Sequence, residues 1–201
     1  MKDTENIYPF FALMARMKYI ERWALMRNST KENISEHSLE VAMIAHGLGV
    51  IGNERFGREY DVNRLALMGL YHDVTEIITG DMPTPIKYYD EDIKNAYKRV
   101  ENIAGYTLLH KLPANMQPYY ESILVAKEEE KEYWKLVKAA DKMSALIKCM
   151  EEESAGNSEF QTAKESIQGI LAQMDLPEVQ VFMEEFLPAY SMTLDELQNN
   201  W

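Results

Sequence analysis

The chain has 201 residues, 46% of them apolar and 10% aromatic, which fits one globular domain able to bury a core. Its formal charge of −12 argues against a nucleic acid polymer as partner, and any anionic substrate must be met locally by a metal or a few chosen basic residues. The single cysteine, Cys149, rules out an internal disulfide and reads as a small buried apolar residue in a reducing compartment.

The opening residues Met1 to Asn6 are followed by no apolar signal core. The longest apolar stretch, 41–51, is interrupted by His46 and is too short to cross a bilayer, so a cytoplasmic protein without a membrane partner is expected. Only 9 glycines and 7 prolines occur, and they fall between long uninterrupted stretches, which favours helices over a many-turned sandwich.

Residues 7–23 place Phe10, Leu13, Met14, Met17 and Ile20 near helical spacing and predict a first helix with one apolar face. The polar residues 28–32 form a loop. Asn33 with Glu36 three residues later resembles a capping box, so a helix starts there and runs to about Arg55, burying Val41, Ile44 and Leu48. Asp61 or Asn63 caps the next helix, which carries Leu65, Met68 and Leu70 through the stretch from Tyr71 to Glu76. It stops at Gly80, ahead of Pro83 and Pro85.

Residues 90–109 predict a further helix on Ile93, Tyr97, Val100 and Ile103. Pro113 and Pro118 bracket a turn, 119–126 reads as a short helix and 132–154 as a long one. The acidic run 128–132 is a solvated surface. Ala155 to Ser158 break and recap the chain, and two or three helices finish it, the first carrying Phe160, Ile167 and Leu171. The expectation is an all-α fold, a single domain over 1–201 with its core in about 7–155 and C-terminal helices in about 158–198.

The chain has 4 histidines, so their placement is informative. His72-Asp73 follows an apolar helical stretch; neighbours on a helix diverge by roughly 100°, yet both reach one ion at the rim of a groove between helices. His37 lies in the first turn of its helix, in phase with the buried residues, so its ring faces inward. Asp141 stands among Leu136, Val137, Ala139, Ala140 and Met143, where an ionised carboxylate needs a cation, either a metal or Lys138 or Lys142. Two imidazoles and two carboxylates suit one divalent transition metal, cobalt, manganese or similar, with positions left for water and substrate oxygen. His46 is out of phase with His37 and His110 ends a helix; both are structural, which leaves a mononuclear site.

The order His37, His72-Asp73, Asp141 resembles the H…HD…D pattern of the HD-domain phosphohydrolases. Arg22-Trp23 before it and Gly80-Asp81-Met82-Pro83-Thr84-Pro85 after it are similar to one branch, the HD-domain 5′-deoxynucleotidases. The resemblance runs on through Lys138 to Asp141 and Phe182 to Pro188, nearly the whole chain. It implies an HD-type helical bundle with the metal between helices, held by His37, His72, Asp73 and Asp141, that hydrolyses nucleoside 5′-monophosphates, the deoxy forms above all.

The implied substrate pocket comprises Arg22, Trp23, His37, Asp81, Thr84 and Asp141. Arg22 offers a planar charged fork that orients phosphate, and Trp23 a flat wall where a 2′-hydroxyl is tested by sterics. Glu76, one turn beyond Asp73 and His72, is the expected general base or proton shuttle, and Asp81 contacts the sugar or protonates the leaving oxygen. Lys87 is a weaker phosphate candidate. A homodimer is plausible for such an enzyme. Two rivals stand beside this reading: an HD phosphohydrolase for nucleoside triphosphates or signalling nucleotides, and a non-catalytic HD-type binding module.

Overall fold

A computed structural model of the protein describes residues 7–87, 89–125 and 128–198, without the side chains of Thr84 and Glu128. It is all-α: among these residues the only β feature is an isolated antiparallel bridge between Glu21 and Asn33. In chain order the first helices are α1 (Phe10–Met14), α2 (Ile34–Phe56), α3 (Val62–Tyr71), α4 (Glu76–Thr79) and α5 (Thr84–Lys87). There follow α6 (Glu91–Leu109), α7 (Gln117–Leu124), α8 (Lys131–Ser154), α9 (Gln161–Gln173), α10 (Pro177–Glu185) and α11 (Leu194–Gln198). None of the described helices is long and apolar enough to cross a membrane. The chain divides into two compact units: Met1–Leu25, Glu32–Ser38 and Tyr71–Lys131 form one, and Met26–Lys31, Leu39–Leu70 and Glu132–Trp201 the other.

In the first unit Phe10, Met17, Ile34, Val74, Leu108, Leu109, Leu112 and Leu124 form a buried cluster, with Leu13, Met14 and Ile20 packed against it. The predicted apolar face of residues 7–23 is therefore used, but not as one helix. α1 ends at Met14, a 3₁₀ turn covers Met17–Tyr19, and Ile20 is extended. The chain leaves the helix because its backbone is claimed by another segment: Arg22 N–H donates to the Glu32 carbonyl at 2.9 Å and Ile34 N–H to the Ile20 carbonyl at 3.0 Å. On α6 the buried stripe is Tyr97, Ala104, Gly105, Leu108 and Leu109, while Val100 and Ile103 face solvent. A β-carbon on Gly105 would stand 2.6 Å from the Leu124 carbonyl oxygen, so α6 and α7 meet backbone to side.

The predicted capping box at the start of α2 is present. Asn33 Oδ1 accepts the amides of Ser35 and Glu36 at 3.0 and 3.1 Å, and Glu36 returns a carboxylate oxygen to the Asn33 amide at 3.2 Å. Val41, Ile44 and Leu48 are buried as their spacing predicted.

In the second unit, Asp61 caps α3 by accepting from the Arg64 amide at 3.0 Å. Leu65 and Met68 are buried there, but Leu70 is 40% exposed. A β-carbon on Gly69 would lie 2.9 Å from Ala42 Cα, so α3 approaches α2 too closely for any other residue. Along α8, Leu136, Val137, Met143, Leu146, Ile147 and Cys149 are buried. Gly156, with φ 79°, ends this turn of chain and Asn157 caps the next by accepting from the Glu159 amide. Phe160, Ile167 and Leu171 are buried beyond it.

Candidate active site

The site residues of the first unit come from three stretches. The short antiparallel pairing of residues 20–22 with 32–34 sets Arg22 and Trp23 beside Glu32. Glu32 Oε2 accepts the Trp23 indole N–H at 2.9 Å and lies 3.8 Å from Arg22 Nη1. Trp23 has φ 58°, a left-handed backbone that bulky residues rarely adopt. The Arg22 guanidinium sits 5.9 Å from the centre of the Trp23 ring, within cation–π range.

His37 follows the capping box and is fully buried, as its helical phase required. The chain after α3 does not continue as one helix to Gly80. Residues 72–75 tighten into turns in which Val74 N–H donates to Tyr71 and Glu76 N–H to Asp73, and α4 then starts at Glu76. This break removes the geometric difficulty of an adjacent His-Asp pair. Asp73 folds back so that its Oδ2 lies 3.1 Å from His72 Nε2 and 3.5 Å from His37 Nε2. The two rings meet edge to face with centroids 5.2 Å apart, and a ring nitrogen of each lies within 4.8 Å of the other's. The rings converge.

Glu76 is the first residue of α4, not a residue one turn along the helix of His72, and it is buried. Burial, then repulsion from Asp73 and Asp81, pushes its carboxyl up to about 10 against the opposing pull of Arg22 and Lys87. Its Oε2 has no hydrogen-bond partner among the described residues. Asp81 follows Gly80, whose φ of 73° makes the turn out of α4. Its carboxyl is also raised, by burial first, while Arg22 and the backbone N–H of Trp23 act to lower it. Lys87 donates to Glu101 at 2.9 Å and sits 4.6 Å above the Tyr97 ring.

Asp73 thus meets two imidazoles, and Glu76 and Asp81 add their repulsion to its charge, with Arg22 and Lys87 as the cations acting on Glu76. Mutual repulsion, buried imidazole nitrogens aimed at one carboxylate, and a nitrogen–oxygen donor set all fit a divalent metal, whose charge would offset the surplus.

Asp141 belongs to the second unit, on α8. It is not the fully buried carboxylate that its apolar neighbours suggested: the side chain is 24% exposed and pairs with Lys142 at 3.1 Å. Flanking side chains along a helix do not bury a residue whose own face is open. The side chain of Thr84, a predicted substrate contact, lies outside the described part; its backbone opens α5. His110 caps the end of α6, as expected of a helix-end residue. Glu32 carries no mark in the sequence, because nothing in the periodicity singles out a loop residue whose partners are brought in by chain reversal.

Known proteins resemble this chain in sequence and in fold. Residues 9–190 match the family described as 5′-deoxynucleotidase YfbR-like. A 5′-deoxynucleotidase of Erwinia tasmaniensis is 46% identical over 94% of this chain and 95% of its own length. One from Photorhabdus temperata is 47% identical over the same shares, 94% and 95%. Among solved structures, an HD-domain phosphohydrolase of Listeria innocua superposes with a TM-score of 0.79 at 25% identity, covering 92% of this chain and 89% of that one. A cyanophage S-2L HD phosphohydrolase, solved bound to dA and one catalytic Zn²⁺ ion, shares the fold at TM-score 0.62 and 19% identity, covering 90% and 96%. With a family match across nearly its whole length and these relatives, the chain belongs to the YfbR-like 5′-deoxynucleotidase family of HD-domain phosphohydrolases.

Proposed function

We propose that this enzyme hydrolyses 2′-deoxynucleoside 5′-monophosphates to nucleoside and inorganic phosphate, with one divalent transition metal, cobalt, manganese or similar. His37, His72 and Asp73 would hold it, with Asp141 as the fourth ligand on the strength of the sequence pattern. The observation that carries the reading is the convergence of both imidazoles on Asp73, with Glu76 and Asp81 raised beside them, in a chain of this family.

When bound, the metal polarises the phosphoryl group and acidifies the attacking water. The protein's own part is positioning and proton transfer. Arg22 clamps the phosphate, and Trp23 walls the sugar at its 2′-position, where a ribose hydroxyl clashes. The sequence pattern adds Thr84, His37 and Asp141 as substrate contacts. Glu76, ionised once a bound cation offsets the surplus of negative charge around it, would take the water's proton as the water oxygen bonds to phosphorus. As the bond to O5′ breaks, Asp81, whose carboxyl burial pushes up, hands the leaving alcohol its proton. Lys148 and Glu152, in the second unit, pair with each other and are assigned no part in the chemistry. We place the enzyme in the cytoplasm, where its substrates and a reduced Cys149 are found.

The test is phosphate release from paired deoxy- and ribonucleoside mono-, di- and triphosphates after metal is stripped and then Co²⁺, Mn²⁺ or Zn²⁺ restored. Deoxy monophosphates are expected to turn over and the others to lag. Equal or faster turnover of triphosphates, or metal-independent activity, overturns the reading.

A further inference from the structure

Glu32 is named by neither the sequence pattern nor the proton-transfer scheme, yet its carboxylate faces three of the residues assigned to substrate and metal. One oxygen, Oε2, accepts the Trp23 indole N–H at 2.9 Å and faces Arg22 Nη1 at 3.8 Å. The other, Oε1, lies 3.8 Å from His37 Nδ1, an electrostatic contact longer than a hydrogen bond, on the opposite side of the ring from the nitrogen that meets Asp73. The carboxylate is 13% exposed, so water screens these contacts little. Its backbone is fixed as well, since the Glu32 carbonyl accepts from Arg22 N–H at 2.9 Å and Asn33 starts the capping box.

We infer that Glu32 is a positioning residue for this reaction, holding the sugar wall and phosphate clamp with one oxygen and orienting the proposed metal ligand His37 with the other. The inference rests on the proposed function for the roles of Trp23, Arg22 and His37, but its geometry stands alone.

Two physical needs explain why a carboxylate is placed there. A negative charge facing Nδ1 favours the histidine tautomer that carries its proton there, which leaves Nε2 free to bind a metal and raises its basicity. Trp23 sits in a left-handed backbone that persists only where the surroundings over-determine it. The indole bond to Glu32 anchors the side chain from one end, and the Trp23 backbone N–H donates to Asp81 at the other. A wall that discriminates one hydroxyl must not swing, and Glu32 is what stops it. An amide in its place keeps an acceptor for one neighbour only, and presents N–H to a guanidinium or an imidazole N–H at the other.

The experiment uses the full chain with Glu32→Gln, Glu32→Asp and Trp23→Phe. Three quantities are read on each: the melting temperature, the affinity of the metal-stripped protein for Co²⁺ alone by calorimetry, and kcat and KM on a deoxy/ribo pair of monophosphates. Glu32→Gln is expected to fold, to bind Co²⁺ about 10–100-fold more weakly, and to lose kcat more than KM. Its deoxy-over-ribo ratio of kcat/KM should narrow about tenfold, the scale of one lost pocket contact. Glu32→Asp restores part of both losses. Trp23→Phe, which keeps the wall but not the N–H, narrows the ratio and leaves Co²⁺ affinity alone. Unchanged Co²⁺ affinity and an unchanged ratio in folded Glu32→Gln overturn the inference, as does a lower melting temperature with no other change. Should Glu32→Gln not fold, undiminished Co²⁺ affinity in Glu32→Asp together with an unchanged ratio in Trp23→Phe overturns it equally. If the wild type releases no phosphate from deoxy monophosphates, the function fails while the Co²⁺ titration still decides the role of Glu32.

Discussion

Two glutamates, one in each compact unit, are buried to a similar degree and treated in opposite ways. Glu152 of α8 receives Lys148 Nζ, the amide nitrogen of Asn157 at 2.7 Å, and the backbone N–H of Ser29 at 2.9 Å. Burial alone would raise its carboxyl, but these donors outweigh it and hold the group well below the usual carboxylate range. Glu76 in the first unit meets other acids, and burial with their repulsion pushes it up. The protein can satisfy a buried carboxylate completely, and does so where it pins the loop of residues 26–31 to α8. At Glu76 it leaves the charge balance open, which is how a group is kept ready to take or hold a proton at neutral pH.

The comparison breaks most sharply through activity. His72→Ala or Asp73→Ala is expected to abolish phosphate release and metal uptake together, measured by turnover and metal analysis of the purified protein. Glu76→Ala should keep the metal and still bind nucleotide while kcat falls about 10²–10⁴-fold, the usual contribution of a general acid or base. Its melting temperature in the metal-free protein should not fall, because the carboxyl removed has an oxygen without a partner among the described residues. Near-full activity in Glu76→Ala would sink the proton-transfer assignment.

The mirror experiment acts on stability. Glu152→Ala leaves Lys148, itself 5% exposed, as a buried cation, and should destabilise by about 3–5 kcal/mol in denaturant titration. Lys148→Met added to it should recover part of the loss. Enzyme kept folded should turn over at the wild-type kcat, since the network takes no part in the chemistry. A Glu152 variant that keeps full stability but loses turnover would reverse the contrast.

What the sequence revealed and what it hid follow the same divide between local and distant causes. The Asn33 and Glu36 cap, the Asp61 cap and the buried phase of Val41, Ile44 and Leu48 depend on residues within a turn or two, and periodicity displays them. The break at 72–75 and the 3₁₀ turn at Met17–Tyr19 look like continuous helix in the sequence, because what interrupts the second is a backbone pairing with residues 32–34. Histidines and acids showed themselves by chemistry alone. Glu32 and Glu152 did not, since a carboxylate in a loop or on a helix gives no sign that a partner nine or 123 residues away will meet it.

Acidity sharpens the contrast further, because the two groups have opposite sign. Glu152 has a folded pKa below its ordinary 4.5, so its stabilisation is present above 4.5 and is lost as pH falls beneath it. The stability advantage of wild type over Glu152→Gln should therefore shrink steadily from pH 5 to pH 3. Glu76 has a folded pKa raised to about 10, so its contribution is full below 4.5 and lost as pH rises toward 10. In metal-free protein, Glu76→Gln should gain on wild type between pH 6 and pH 9. Parallel curves for the two variants would show that the two carboxylates are not handled differently.

The smallest effect tests whether pairing or burial makes the Lys148–Glu152 link matter. Arg55 and Glu185, also in the second unit, form a two-pronged ion pair whose second contact is 2.7 Å, with both side chains 46% exposed. The geometry of the fork is as favourable as that of the buried pair, and each partner shifts the other's pKa in the direction of ionisation. Water nevertheless solvates both groups when they part, and side-chain entropy opposes holding them together. Arg55→Ser should leave the melting temperature within error at physiological salt, with any difference at low ionic strength vanishing as salt is added. A drop comparable to that of Glu152→Ala would mean that geometry alone sets the strength of such links, and that burial explains nothing about why Glu152 is held and Glu76 is not.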